Sequence, residues 1–151
     1  MARRPRLVLP EFGLFHVVSR GVNRTAIFLA DDDRHLFVGL LNRTMRRWAW
    51  ECHAYCLIGN HFHLVLEAAR DDVSGGMQRL NGIYAQNFNA CYGRVGHLFQ
   101  NRFGVRLVES EHGLAGTCRY VFDNPVRAGL CDQPEDWPWS GGREHTALRW
   151  S

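Results

Sequence analysis

Residues 50–67 read WECHAYCLIGNHFHLVLE, and two strand-like runs lie within them. Residues 50–58 and 61–67 are rich in aromatic, β-branched and other apolar side chains, a composition typical of β-strands. Only Gly59 and Asn60 separate the two runs, and a pair of this kind closes a tight hairpin. The stretch therefore predicts two antiparallel strands that lie side by side.

The flanking segments predict an alternation of strands and helices. Residues 13–19 form a predicted first strand, and residues 31–48 show apolar side chains at helical spacing behind three aspartates. Residues 74–91 predict a second helix with Ser74 as its N-cap, and residues 105–109 predict a fourth strand. The resulting order, β-α-β-β-α-β, indicates an α+β fold of ferredoxin-like plan, with an antiparallel sheet and helices on one face.

The C-terminal third predicts one additional helix. It covers residues 111–123, carries Tyr120, and is expected to end before Pro125, because proline disfavours helical geometry at the preceding residue. The tail that follows, with Trp137 and Trp139, is expected to pack without regular structure. At this length and without a linker or repeat, residues 1–151 are predicted to form a single domain.

The composition favours a soluble, cytoplasmic protein. No run of about 18 uncharged apolar residues is present, so no membrane span is expected. The net charge is only +3, but all 18 cationic side chains are arginines. The planar guanidinium pairs bidentately with phosphate, so this bias favours a phosphate-containing partner, although a codon bias would produce the same preference.

The five cysteines are expected to be reduced and mostly packed, because their odd number and spacing match neither a disulfide framework nor a zinc site. A zinc site at Cys52, His53 and Cys56 is not favoured. Strand alternation predicts that the two cysteines share one face while His53 points to the other.

His61 and His63 form the first candidate for chemistry. In a strand they share one face at a separation of about 6 to 7 Å, so both imidazoles could bind one metal ion. A pair of solvent-facing histidines is the alternative interpretation, which an isolated motif of this kind favours. The pair of histidines follows directly after a tight turn, where a rigid sheet presents side chains at an open edge, and this position favours the metal site.

Tyr120 and Asn124 form the second candidate, because residues four apart share one face of a helix. The alternative is a tyrosine at the edge of the core and an asparagine at a helix end. Two neutral imidazoles and one amide oxygen would leave a divalent ion open positions for phosphate oxygens. The tyrosine hydroxyl, with a reference pKa of about 10, would then be the nucleophile.

Four stretches together resemble one known family. Residues 55–66 read YCLIGNHFHLVL, residues 77–80 MQRL, residues 96–103 GHLFQNRF and residues 120–130 YVFDNPVRAGL. This ordered set resembles the REP-associated tyrosine transposases, which are single-tyrosine HUH transposases of the IS200-like superfamily. The resemblance spans nearly the whole chain.

The resemblance implies a metal-dependent single-stranded DNA endonuclease and strand transferase that acts near palindromic hairpins. His61 and His63 would be metal ligands, Asn124 the third ligand, and Tyr120 the nucleophile. The metal would be Mg²⁺ or Mn²⁺, and the product a covalent 5′-phosphotyrosine with a free 3′-hydroxyl. The implied partner is single-stranded or hairpin DNA, bound by a monomer or a homodimer.

Tyr84 lies on an apolar helix stripe and is therefore not favoured as the nucleophile.

Contacts with DNA are expected from arginines on several elements. Phe99, Phe103 and Trp137 are candidate stacking platforms, with core packing as the alternative for each. His16 is interpreted as a structural residue of the first strand that could lie behind the metal ligands. The arginines are Arg20, Arg24, Arg102, Arg106 and Arg127.

Two other functions remain open. A relative that acts in rolling-circle replication or plasmid nicking would use the same chemistry, but the tyrosine followed by Asn-Pro favours the transposases. A non-catalytic nucleic-acid-binding module of ferredoxin-like fold would need neither the metal nor the tyrosine.

Overall fold

The computed structural model describes residues 9–100 and 102–145. This part of the chain forms an antiparallel sheet in the order β4-β1-β3-β2-β5. The first four strands follow the ferredoxin-like order, so the predicted fold class is confirmed. None of the helices described is long and apolar enough to cross a membrane. The elements are β1 (Phe12–Arg20), α1 (Asp31–Arg47), β2 (Glu51–Leu57), β3 (His61–Ala69), α2 (Arg70–Tyr92), β4 (Gly104–Val108), α3 (Glu111–Arg127) and β5 (Ser140–Gly141), with short 3-10 turns at Val22–Arg24 and Pro134–Asp136.

The hairpin between β2 and β3 forms as predicted and is fixed by neighbouring loops. The carbonyl of Gly59 accepts hydrogen bonds from the amides of Ile27 and Phe28, at 2.9 and 3.1 Å. The carbonyl of Asn60 accepts one from the Gly21 amide at 2.8 Å. These bonds satisfy the carbonyls of the turn. They therefore fix the end of the sheet at which β3 begins.

Helices α1 and α2 cover one face of the sheet, as the sequence predicts. Alternate residues of β3 point to this face, and the helices contribute apolar residues at helical spacing. The buried side chains of this core include Phe62, Leu64 and Leu66 of β3, Phe37 and Leu41 of α1, and Met77, Leu80 and Tyr84 of α2.

Helix α3 covers the opposite face, which the sequence did not reveal. Its Cys118, Val121 and Phe122 pack on Cys56 of β2 and Val65 of β3. Because strand side chains alternate, His61 and His63 of β3 lie on the same face as Val65. Both histidines are therefore on the face that the Tyr120 helix covers.

The sequence predicts that α3 ends at Asp123. In the structure the helix instead continues through Pro125 to Arg127. A proline removes one amide donor, which is tolerable near the end of a helix where few further bonds depend on it. The Ala128 amide still donates to the Asn124 carbonyl at 2.9 Å. Asn124 consequently lies inside the last turn, in fixed register with Tyr120.

Helix α2 begins at Arg70, one turn before the predicted cap at Ser74. Asp71 and Asp72 lie in its first turn, where the positive end of the helix dipole favours carboxylates. This explains why Ser74 is not needed as a cap.

A β-bulge in β2 changes which residues share a face. The register with β3 shifts between Cys52 and Ala54. Cys52 therefore packs in the core under α1 and α2, whereas Cys56 packs under α3. The expectation that these two cysteines share a face was wrong, because strand alternation does not hold across the bulge.

The tail after α3 is more regular than expected, because it adds β5 beside β2. The Leu57 amide donates to the Trp139 carbonyl at 2.9 Å, and the indole of Trp137 donates to the Leu57 carbonyl at 3.0 Å. These bonds attach the tail to the outer edge of β2.

Candidate active site

Two elements that are far apart in sequence bring the predicted residues together. The rings of His61 and His63 lie 5.0 Å apart between centroids, at the hairpin end of β3. The ring of Tyr120, on α3, lies 6.0 Å from the ring of His63. His63 is 2% exposed and Tyr120 is 50% exposed. A buried imidazole therefore lies beside a phenol that substrate could reach.

Asn124 lies beside both Tyr120 and His61 and so belongs to the same group. Its side-chain amide donates to the Tyr120 carbonyl at 3.3 Å, one helical turn back. The Asn124 side chain also lies close enough to His61 to offset part of the lowering of its pKa. On its other side, His61 donates from Nδ1 to the Asn60 side-chain oxygen at 2.7 Å. The structure thus places all four predicted residues of the site within one cluster.

Among the described residues, His63 has a hydrogen-bond partner on one of its two ring nitrogens. Its Nδ1 lies 2.9 Å from Nε2 of His16, on β1. Its Nε2 is buried and has no hydrogen-bond partner in the described part of the chain. A buried polar atom without a partner costs about 1 to 3 kcal/mol, unless a bound group satisfies it. The free Nε2 therefore fits a metal ligand.

Burial keeps the three histidines of the cluster neutral. It lowers the pKa of His61 and of His16 to about 4, with smaller contributions from Arg20 and Arg106 respectively. Burial and the neighbouring His16 lower the pKa of His63 to about 2. Neutral imidazole is the form that binds metal ions, and two such nitrogens with an amide oxygen suit a divalent cation.

A second group of potential ligands lies at the other end of the same sheet face. Donor atoms of Glu51, His53 and Glu67 all lie within 4.8 Å of one another. His53 Nε2 is 2.9 Å from Glu67, and its Nδ1 is 3.5 Å from Glu144. Arg143 forms an ion pair with Glu51. Glu144 and Arg143 therefore already contact this group, although His53 Nδ1 has no hydrogen-bond partner among the described residues. Sequence reasoning missed the group because the β2 bulge creates it.

A cleft of about 740 Å³ opens beside Tyr120, between β4 and α3. Of the five arginines predicted to contact DNA, Arg20, Arg102 and Arg106 line it. From α3 the cleft is lined by Gly113, Gly116, Thr117 and Tyr120, and the two glycines add no side chains. The cleft is therefore open, basic and continuous with the tyrosine.

The other two predicted arginines have different surroundings. The guanidinium of Arg127 lies 4.2 Å above the ring centroid of Tyr120, and it donates to the Tyr120 carbonyl at 3.0 Å. Such cation–π contacts stabilise a ring in one orientation. Arg24 is exposed in the turn after β1, outside the lining of the cleft.

The three aromatic candidates for base stacking pack against the protein. Phe99 is buried and Phe103 half-buried in the core under α1 and α2. Trp137 packs against the core under α3, and its indole N–H donates a hydrogen bond to the Leu57 carbonyl. Core packing, the alternative considered for each, is what the structure shows.

Comparisons with known proteins point to one family. A family model described as "Transposase IS200 like" matches residues 13–124. A curated protein of Haemophilus influenzae, described as a REP-associated tyrosine transposase, is 25% identical over 140 residues, which cover 85% of this chain and 78% of that protein.

Two solved structures share the fold at 19% sequence identity. One, described as a REP-associated tyrosine transposase bound to a REP hairpin, has a TM-score of 0.74 and covers 99% of this chain and 86% of its own. The other, described as a transposase from Deinococcus radiodurans, has a TM-score of 0.53 and covers 80% of this chain and 95% of its own.

Proposed function

Because the chain belongs to the IS200-like transposase family, we propose that it cleaves and rejoins single-stranded DNA beside a hairpin through Tyr120. The observation that carries this proposal is the position of Tyr120, half-exposed and 6.0 Å from the buried ring of His63. The relative solved with a REP hairpin supports hairpin DNA as the substrate.

His61, His63 and Asn124 are the proposed holders of a Mg²⁺ or Mn²⁺ ion. The unpartnered Nε2 of His63 and the neutral state of both imidazoles support this assignment. When bound, such an ion supplies Lewis-acid polarisation of the scissile phosphate. Asn124 is suited to the third position because its side chain already meets His61.

Tyr120 forms the covalent bond in the proposed reaction. Its Oη attacks the phosphorus, the Oη–P bond forms, and the bond from phosphorus to the 3′-oxygen breaks. The phenolic proton passes to solvent, and the 3′-oxygen leaves as a hydroxyl after gaining a proton. The DNA keeps a 5′-phosphotyrosine bond, which a 3′-hydroxyl can attack in the reverse sense to rejoin a strand without ATP.

Arg20, Arg102 and Arg106 are proposed to bind the DNA backbone within the cleft, since guanidinium groups pair with phosphate oxygens. Arg24 and Arg127 are exposed outside the lining of the cleft, and we propose that they make further contacts with DNA. Arg127 has an additional task, because its contact with Tyr120 holds the ring of the nucleophile.

The test uses a hairpin oligonucleotide with a single-stranded flank, labelled at the 5′ end in one sample and at the 3′ end in another. With Mn²⁺, the wild type is expected to cleave it and form a covalent adduct with the 3′-labelled fragment. Tyr120→Phe is expected to lose at least about 10³-fold in cleavage rate, because it lacks the attacking oxygen.

Tyr92→Phe is the matched control, because the Tyr92 hydroxyl bonds to Asp33 at 2.7 Å and is outside the proposed site. It should cleave like the wild type. Cleavage that persists in Tyr120→Phe, or that is lost only in Tyr84→Phe, would contradict the proposed nucleophile. A non-catalytic binding module, which the arginine-lined cleft alone would suit, would bind equally well in EDTA and form no adduct.

A further inference from the structure

We propose that His16 is a positioning residue, which accepts a hydrogen bond from Nδ1–H of His63 and so leaves Nε2 of His63 free to bind the metal. The inference rests on the proposed function of His63 and adds a task for a side chain on a different strand.

The contact between the two rings is built into the sheet. Nε2 of His16 lies 2.9 Å from Nδ1 of His63, and the rings stack at 5.2 Å with an angle of 20° between their planes. β1 pairs with β3 so that Val18 lies opposite His63 and His16 opposite Val65. His16 is therefore the diagonal neighbour of His63 on the same sheet face, which is a contact that long side chains make.

The number of protons limits how this contact can form. A neutral imidazole has one N–H and one lone pair, so one ring of the pair must donate and the other must accept. If His16 donated, His63 would carry its proton on Nε2. That nitrogen is buried and no described residue bonds to it, so its N–H would be unsatisfied and unable to bind a cation.

The opposite arrangement has neither problem. If His63 donates from Nδ1, its Nε2 holds a lone pair, and a bound cation satisfies it. His16 then carries its own proton on Nδ1. His16 is only half-buried and lines the cleft, so that proton can meet solvent. The arrangement therefore leaves each of the four ring nitrogens with a partner once a cation is bound.

Histidine ligands in metal sites usually donate their second N–H to a carboxylate, a carbonyl or water, and loss of that partner costs about 10- to 100-fold in metal affinity. Here the acceptor is another imidazole. A neutral acceptor adds no negative charge to the site, which leaves the charge of the ion available to the phosphate of the substrate.

The test measures Mn²⁺ binding by calorimetry in His16→Leu and His16→Gln. Leucine cannot accept a hydrogen bond, so His16→Leu is expected to bind Mn²⁺ about 10- to 100-fold more weakly than the wild type. The amide oxygen of glutamine can accept the bond, so His16→Gln is expected to bind close to the wild-type affinity. His35→Gln, at an exposed position on α1, is the matched control and should not change.

A second readout needs no metal. Long-range ¹H–¹⁵N NMR of the metal-free protein should show the proton of His63 on Nδ1 in the wild type and in His16→Gln. In His16→Leu a larger share of Nε2–H is expected.

Three results would overturn the role of His16: wild-type Mn²⁺ affinity in His16→Leu, an equal loss in His16→Leu and His16→Gln, or a wild-type proton on Nε2 of His63. If His63→Ala binds Mn²⁺ like the wild type, the proposed metal site fails and the role of His16 fails with it. Loss of DNA cleavage in a protein that passes both readouts would contradict only the proposed reaction.

Discussion

A tyrosine can act as a nucleophile only where its hydroxyl meets the substrate, and burial and hydrogen bonding separate Tyr84, Tyr92 and Tyr120 by that criterion. Tyr84 is 1% exposed, its hydroxyl donates to the Ile27 carbonyl, and burial raises its pKa. A hydrogen bond to Asp33 raises the pKa of Tyr92 to about 12. Tyr120 instead faces the cleft. Burial excludes Tyr84, and the hydrogen bond to Asp33 engages the exposed Tyr92, so accessibility and the Asn-Pro motif both favour Tyr120 as the proposed nucleophile.

Burial also predicts which thiols react. It raises the pKa of Cys52, Cys56 and Cys118 to about 12, so at pH 8 only roughly one in 10⁴ of these groups is a thiolate. Iodoacetamide at this pH is therefore expected to modify the exposed Cys91 in the folded protein and to leave those three unmodified. Peptide mapping by mass spectrometry measures the outcome.

The control is the same reaction in guanidinium chloride, where all of these cysteines should react at similar rates. Modification of Cys56 in the folded protein as fast as Cys91 would mean that β2 and α3 are not packed as described.

Among the elements, α3 shows how one helix can serve two purposes. One face carries Val121 and Phe122, which seat it on the sheet. The adjacent face carries Gly113, Gly116 and Tyr120 along the cleft. Because the two glycines add no side chains, the cleft leaves space for a ligand beside the tyrosine.

Helix α2 uses glycine for a different reason, which permits a matched test. A Cβ on Gly76 would lie 2.3 Å from Trp50, whereas one on Gly82 would meet no atom within 4 Å. Gly76→Ala is expected to lower the free energy of unfolding by about 1 to 3 kcal/mol, because the rigid indole must move. Gly82→Ala is expected to raise it by about 0.5 to 1 kcal/mol, because alanine favours the helix.

Urea denaturation of both variants measures these changes. Equal effects of the two substitutions, in either direction, would show that α2 does not pack closely on Trp50.

For the whole molecule, the sheet separates two cores with different roles. The larger core lies under α1 and α2, and the smaller lies under α3. The residues of the proposed site come from opposite sides of the smaller core, since β3 carries His61 and His63 and α3 carries Tyr120 and Asn124. The packing under α3 therefore sets their separation.

Phe122→Ala and Phe88→Ala test this division of roles. Both phenylalanines are 3% exposed, Phe122 in the smaller core and Phe88 in the larger. Each substitution is expected to cost about 3 to 5 kcal/mol in the free energy of unfolding. Phe122→Ala, but not Phe88→Ala, is also expected to slow DNA cleavage by about 10- to 100-fold. Loss of packing under α3 would displace Tyr120 from the histidines, and small displacements of reacting groups are costly.

Cleavage is measured at a temperature where circular dichroism shows both variants to be folded. Equal cleavage rates in the two variants would mean that the seating of α3 does not control the geometry of the site.

The sequence by itself determined the features that depend on local periodicity. The Gly-Asn pair and its flanking runs predicted the β2–β3 hairpin, and strand alternation placed His61 and His63 on one face. Helical spacing paired Tyr120 with Asn124. Each of these follows from neighbours within about five positions, because backbone geometry fixes where such side chains point.

Only the tertiary structure decided which face α3 covers, and hence that the two pairs meet. It also revealed the contact of His16 with His63, the bulge that separates Cys52 from Cys56, and the extension of α3 through Pro125. These features depend on strand register and on packing between segments that are far apart in the chain. No local pattern of residues encodes such contacts, because their energy arises only once the segments have come together.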